Sequence, residues 1–171
     1  MEMNITEKAA YLKGLCEGMQ LDESTNEGKL LRAIVDLLGD MAREIEDLRI
    51  RAFLNSGSSS PARPEDFEFL RKALSVVHDH LGDTSFSIDV FAKEMCLSRT
   101  KLFMRMKEVT GASALEFIKK VRLDEACAML KAENLTVAEV SYRVGYASPG
   151  YFATDFKKQT GQTPTDYLNN H

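Results

Sequence analysis

The sequence has no tryptophan, only three cysteines and four prolines, and no apolar run near the roughly 18 residues that a membrane span needs. Cys16, Cys96 and Cys127 are odd in number, far apart and free of any C-x-x-C spacing. They therefore suggest neither a disulfide framework nor a zinc site, and reduced thiols are expected. The opening MEMNITEK lacks the basic-then-apolar order of a secretory signal, so the expected location is the cytoplasm, with no membrane contact. No glycine-rich phosphate loop occurs, and serine, histidine and aspartate show no triad spacing. His78 and His80 are the one candidate ligand pair. Two residues apart on a helix they point about 200° away from each other, and cannot chelate one ion. No catalytic residue, cofactor or metal site is assigned. What is present, 171 residues with 44% hydrophobic and 28% charged side chains, suits one or two globular domains.

The formal net charge of -4 conceals an uneven distribution. Residues 1–60 hold 7 basic against 11 acidic side chains, and residues 61–171 hold 15 of each. Within the second part, Arg99, Lys101, Arg105, Lys107, Lys119, Lys120 and Arg122 stand against only Glu108 and Glu116. That segment reads as a basic patch, the electrostatic mark of a polyanionic partner. The charge balance changes at Asn55-Ser56-Gly57-Ser58-Ser59-Ser60-Pro61, a small polar stretch with nothing to bury. Residues 55–63 are read as a flexible linker between a helical hairpin over 1–54 and a second domain over 64–171.

In the first part, Thr6 is placed to cap a helix running to about Met19, and Ser24-Thr25-Asn26-Glu27 has the capping-box pattern that opens a second. Along the second helix Leu31, Ile34, Leu38, Met41, Ile45 and Leu48 recur at alternating spacings of three and four, a coiled-coil-like seam. Two partners for it are open. Helix 1 can cover it through Ala9, Leu12, Leu15 and Met19, or a second copy can pack there. Helix 1 is about half as long as helix 2, so the homodimer through residues 24–54 is favoured.

The second part opens with Pro64 at a first helical position, a core stripe of Phe67, Leu70, Leu74 and Val77, and Gly82 past the end. Beyond it a unit of about 25 residues occurs twice. Ile88 aligns with Val137, Ala92 with Ser141, Met95 with Val144, Cys96 with Gly145 and Leu97 with Tyr146. After one inserted residue, Ala147, Ser98 falls on Ser148, Leu102 on Phe152, Met106 on Phe156, Thr110 on Thr160 and Gly111 on Gly161. Each copy reads as a short capped helix, a tight turn and a second helix opened by serine and stopped by glycine. Ala92 and Ser141 are small where two steeply crossing helices leave little room. If Cys96 shares the positive φ that glycine supplies in the other copy, the turn stores about 1 kcal/mol, and a slightly different turn is favoured instead. Between the copies, Ser113-Ala114-Leu115-Glu116 opens a helix through about Lys131, buried along Phe117, Val121, Ala126 and Leu130. The fold class is all-α: a hairpin plus two helix-turn-helix subdomains joined by a linker helix.

These residues resemble the DNA-binding domain of the AraC/XylS (arabinose-regulator) family, in particular the output domains of Bacteroidetes hybrid two-component regulators. The resemblance rests on Leu97-Ser98-Arg99-Thr100-Lys101-Leu102-Phe103, Lys107-Glu108-Val109-Thr110-Gly111 and Arg122-Leu123 in the first half. In the second it rests on Val144-Gly145-Tyr146, Tyr151-Phe152, Asp155-Phe156-Lys157-Lys158 and Thr160-Gly161-Gln162-Thr163-Pro164. The hairpin is weakly similar to a module of uncharacterised clostridial proteins. The family resemblance implies a sequence-specific, double-stranded DNA-binding transcription regulator associated with the nucleoid, with RNA polymerase or an upstream signalling protein as further partners. Two recognition helices would enter successive major grooves. On the first, Thr100, Phe103 and Met104 would read bases, with Ser98, Arg105 and Lys107 nearer the phosphates and Arg99 and Lys101 also in the DNA-binding set. Phe103 has the alternative of packing partly on the domain. On the second, Pro149, Gly150, Ala153 and Thr154 fill the reader positions, a poor reading head. Ser148, Tyr151 and Lys157 are therefore expected to hold phosphates while specificity rests on the first unit or on DNA shape. The competing class is a protein-interaction module that uses the hairpin and binds no specific DNA.

Overall fold

The computed structural model describes residues 5–19, 24–55, 63–132 and 135–169. Every regular element among them is a helix. The chain divides into two compact units, Met1–Asn55 and Ser56–His171. Of the linker expected at 55–63, residues 56–62 lie outside the described residues; Asn55 is still helical and Arg63 is the N-cap of the next helix.

The first unit is α1 (Ile5–Gly18) packed on α2 (Asn26–Asn55). Thr6 falls inside α1 rather than at its cap. The cap of α2 is Thr25, one residue later than the capping-box reading, with its hydroxyl accepting from the Gly28 backbone N–H at 3.1 Å. The larger correction concerns the covered face. Ala9 of α1 and Gly28, Val35 and Ala42 of α2 are buried. Small side chains at seven-residue spacing let two helix backbones approach closely. Leu12, Leu15 and Met19 consequently do not cover the seam: they are exposed, as are Leu31, Ile34, Leu38, Met41, Ile45 and Leu48.

The second unit runs α3 (Pro64–Asp79), α4 (Ile88–Glu94), α5 (Arg99–Thr110), α6 (Ala114–Ala132), α7 (Val137–Arg143), α8 (Pro149–Thr160) and α9 (Pro164–Asn169). Pro64 stands at the first position of α3, as its fixed φ favours. Leu70, Leu74 and Val77 of the expected stripe are buried and Phe67 is half-buried; Ala73 and Val76 widen the face. The central element is α6, which packs against α3, α5, α7, α8 and α9. Ser113 and Glu116 open it reciprocally, the serine hydroxyl accepting from the Glu116 N–H and the Glu116 carboxylate accepting from the Ser113 N–H at 2.8 Å. Phe117, Val121, Ala126 and Leu130 are all buried along it.

Around the first copy the buried rings of Phe86, Phe91 and Phe117 form an aromatic chain, and Leu102 and Met106 are fully buried. Around the second, Leu123, Ala126, Leu130, Val140, Val144, Tyr146, Phe152 and Phe156 form one core. The helix α9, which the sequence reading does not mark, closes this core with the Tyr167 ring edge-on to Phe156 at 5.4 Å.

The repeat is reproduced at its turns and helix ends. At the first turn the Leu97 N–H donates to the Ala92 carbonyl, and at the second the Tyr146 N–H donates to that of Ser141, both at 2.9 Å. The Thr110 hydroxyl donates to the Met106 carbonyl and that of Thr160 to Phe156, at 2.7 and 2.9 Å, before Gly111 and Gly161 stop α5 and α8 in the left-handed conformation. Cys96 has φ 59 beside the φ 79 of Gly145. The slightly different turn favoured from the sequence is therefore not adopted; Cys96 takes the glycine conformation and its strain.

Candidate nucleic-acid interface

Helix α5 is positioned from its buried side. Leu102, Met106 and Val109 are locked in the core, and Ser98 caps the amino end, its hydroxyl accepting from the Lys101 N–H at 3.3 Å. Everything opposite must face out. Arg99, Thr100, Lys101, Phe103, Met104 and Lys107 are exposed, Phe103 by 56% and Met104 by 59%. Two large apolar side chains held open on one turn of a rigid helix, with cations around them, form a surface suited to base edges and phosphates together. The packing alternative for Phe103 finds no support in that exposure.

The basic patch is thinner than its sequence count. The Arg105 guanidinium lies 2.8 Å from Asp66 and 3.0 Å from Glu108, with its carbon 5.5 Å from the Phe69 ring centre. Arg63 joins the same carboxylates, at 2.6 Å to Glu108. Burial alone would raise the Asp66 carboxyl. The Arg63 backbone N–H, at 2.7 Å, and the two guanidinium groups outweigh it and hold the group below the ordinary carboxylate range. Arg105 thus fastens α5 to α3 instead of extending toward phosphate, because a buried carboxylate needs its charge compensated. Lys119 pairs with Asp155 at 2.9 Å and Lys120 with Asp124 at 3.5 Å. Arg122 is turned inward, its guanidinium donating to backbone carbonyls of Asp83 and Gly145 at 2.6 and 3.0 Å. The outward cations on α5 are Arg99, 3.3 Å from the equally exposed Asp89, together with Lys101 and Lys107.

Helix α8 is held by Phe152 and Phe156 beneath it and by α6 beside it, through the Lys119–Asp155 pair and a bond from the Gln159 amide to Asp124 at 2.7 Å. The Tyr146 hydroxyl donates to Asp155 at 3.2 Å; burial first, and then that carboxylate, push the phenol far above its ordinary value. At the reader positions Gly150 is exposed, Pro149 and Ala153 are half-buried, and the Thr154 hydroxyl is turned back to the Gly150 carbonyl at 3.0 Å. Ser148 sits at the N-cap position with φ -143 and makes no side-chain cap bond. Tyr151 is 77% exposed, and Lys157 is exposed as well. The outer face of α8 thus offers one hydroxyl-bearing ring, a lysine and the serine hydroxyl, and almost no base-reading group.

Among the described residues no three histidine, cysteine or carboxylate side chains gather as metal ligands, and no helix is long and apolar enough to cross a membrane. Besides Arg105, the basic patch loses Arg122 to the interior. Its neighbours Val121 and Leu123 are both buried, which puts position 122 at the edge of the core rather than on the open face. Leu123, which lies outside the stripe expected for α6, is buried as well.

Residues 91–170 match a family described as a helix-turn-helix domain. The chain is 35% identical over 106 residues to Histidine kinase P4 of Formosa agariphila, covering 62% of this chain and 8% of that protein. It is 32% identical over 98 residues to the arabinose operon regulatory protein of Escherichia coli, covering 57% of this chain and 34% of the relative. It therefore spans well under two thirds of these relatives. Among solved structures, the C-terminal domain of AraT, a response regulator from Geobacillus stearothermophilus, superposes with a TM-score of 0.57 at 27% identity, covering 66% of this chain and 89% of that one. The DNA-binding domain of AdpA in complex with a target DNA gives 0.55 at 26% identity, covering 59% and 90%.

Proposed function

Since the carboxy-terminal unit is a double helix-turn-helix DNA-binding domain of the AraC type, we propose that this chain is a sequence-specific transcription regulator in which α5 reads the DNA and α8 mainly grips its backbone. The observation that carries this division is the contrast between the two outer faces. Phe103 and Met104 stand open beside Thr100 on α5, while α8 presents Pro149, Gly150 and Ala153 at the matching places. Thymine methyl groups in the major groove are the natural partners for the two apolar tips, and the Thr100 hydroxyl pairs with a base edge. Ser98, Arg99, Lys101 and Lys107 flank them toward the phosphates. Ser148, Tyr151 and Lys157 hold the backbone at the second groove. The 19 residues of α6 span about 28 Å, which with the width of the flanking units approaches the ~34 Å helical turn of DNA.

The uncovered apolar faces of α1 and α2 support a homodimer through the hairpin, with two copies packing Leu31, Ile34, Leu38, Met41, Ile45 and Leu48 together as a bundle. Input then arrives through that hairpin, from dimerisation or an upstream signalling protein, in a regulator that acts on the cytoplasmic nucleoid.

The test is selection of bound sequences from a random duplex library, with the intact chain and with Phe103→Ala plus Met104→Ala. Enrichment of one motif that the double variant loses is the expected result. Failure to enrich any motif at low salt sinks the regulator reading and leaves a protein-interaction module.

A further inference from the structure

The guanidinium of Arg122 joins the two halves of the domain at one point. From the middle of α6 it donates through Nη2 to the Asp83 carbonyl at 2.6 Å and to the His80 carbonyl at 3.4 Å, and through Nη1 to the Gly145 carbonyl at 3.0 Å. His80 is the C-cap of α3, and Gly145 follows the C-cap of α7. The cation therefore sits where two helices end, one from the scaffold of the first copy and one from the helix that opens the second, adding a charged donor to carbonyls of which His80 and Asp83 already accept the Asp83 and Phe86 N–H groups. Its Nε is buried without a hydrogen-bond partner, so this part of the side chain is withdrawn from water for the sake of the carbonyl contacts. Burial pulls the pKa of the group down, opposed by Tyr146 and Asp83.

The fit depends on a missing side chain. A Cβ on Gly145 would lie 2.4 Å from the Leu81 carbonyl oxygen and 2.7 Å from the Arg122 guanidinium carbon. The end of α7 can therefore meet the turn after α3, with the guanidinium between, only because residue 145 is glycine. Other ties of α6 each reach one half only: His78 to Glu125 at 3.0 Å toward α3, and Lys119 to Asp155 at 2.9 Å and the Gln159 amide to Asp124 at 2.7 Å toward α8. Arg122 alone among these touches both.

We propose that Arg122 is a positioning residue that fixes the register of α8 on DNA relative to α5 by clamping the carbonyl ends of α3 and α7. This rests on the DNA-binding reading above. Both terminal nitrogens are spent on carbonyls, so the side chain acts on DNA only through the placement of the second unit.

The experiment uses the full chain, a duplex carrying the motif selected by the wild type, and the same duplex cut back to the half that α5 protects. Hydroxyl-radical footprinting of the wild type should show two protected patches about ten base pairs apart on one face. Arg122→Met should keep the first patch and lose or blur the second, and its affinity for the long duplex should fall about tenfold, to that for the short one. On the short duplex the variant and wild type should bind alike, an equality that general destabilisation would not give. Arg122→Lys, which keeps one charged donor, should restore the second patch in part, and decides the matter should the Met variant lose its helicity. Two patches at wild-type spacing in the variant, or a single patch in the wild type, overturns the proposal. If the wild type selects no duplex at all, the regulator reading itself falls and the clamp on DNA register falls with it.

Discussion

Opposite signs are expected from changes at the two equivalent turn positions, Cys96→Gly and Gly145→Ala. Both residues have positive φ, 59 and 79, where an L side chain costs about 1–2 kcal/mol. At position 96 the native side chain already bears that cost. Its thiol is exposed, with only long contacts of 3.8 Å to Lys72 and to the Glu94 carbonyl, so little packing is lost with it. Glycine relieves the strain and returns roughly 0.4–1 kcal/mol as unfolded-chain entropy. The net is a stabilisation of about 0.5–1 kcal/mol. At position 145 alanine adds the strain and collides with a backbone oxygen at 2.4 Å and with the Arg122 guanidinium. Displacing Arg122 forfeits hydrogen bonds from a charged donor worth about 1.5–3 kcal/mol each. After a small entropic return, the loss is about 3 kcal/mol or more, a large share of the ~5–15 kcal/mol that stabilises a typical domain. Urea unfolding of the full chain, compared at unchanged m-value, measures both. Gly145→Ala within 1 kcal/mol of the wild type, or a Cys96→Gly variant less stable than the wild type, would refute the reasoning.

Lys107→Ala should lower the salt slope of duplex binding by about one unit, whereas Arg105→Ala should leave the slope unchanged and lower the unfolding midpoint, since its guanidinium is bound to Asp66 and Glu108. Titrating both variants with salt separates phosphate contact from internal fastening, and equal slope changes would restore Arg105 to the interface. Asp66 has a folded pKa below its unfolded value. Its contribution is therefore complete above the unfolded value of about 3.9 and is lost as pH falls through the folded one. Asp66→Asn should cost about 1–3 kcal/mol at neutral pH and flatten the acid limb of a stability profile, and an unchanged limb would show that other carboxylates govern it. Leu38→Glu with Met41→Glu should convert a sedimenting dimer to a monomer with its helices intact; a wild-type chain that sediments as a monomer removes the hairpin interface altogether.

The second unit was legible because its signals are local and redundant. A serine or threonine before every helix from α4 to α9, the glycines at 111, 145 and 161, and apolar residues at helical spacing all agree, and the copies vouch for each other. The core positions Leu102, Met106, Phe152 and Phe156 follow from the same pattern. The hairpin misled because periodicity locates an apolar stripe without saying which edge a neighbour takes. The large residues of the seam stay exposed, while the buried positions are Ala9, Gly28, Val35, Ala42 and Ile50, three of the five too small to register as a hydrophobic signal. Charge counting failed for a related reason. Arg105 and Arg122 carry the same formal charge as Lys101 and Lys107, but their partners, Asp66 at a distance of 39 positions and the carbonyls of residues 80, 83 and 145, are set by tertiary packing alone.

The two copies differ in a way that one constraint explains. In the first, the turn has open surroundings, so a cysteine can occupy the left-handed position at modest cost, and α5 is free to carry large exposed side chains. In the second, the turn is pressed against the end of α3 and the Arg122 guanidinium, so only glycine fits, and α8 is tied to α6 through Asp155 and Gln159. A unit whose place is dictated by three anchors has little freedom to adjust its outer face to each base. A unit reading through Phe103 and Met104 needs a firm reference elsewhere on the DNA, which phosphate contacts from a rigidly held α8 would provide. Exchanging the readers, by placing Thr, Phe and Met at 150, 153 and 154, should thus fail to transfer the motif to the second half-site unless the Arg122 contact is also relaxed. Selection from the same random library would report this directly, and a motif that moves with the side chains alone would refute the constraint.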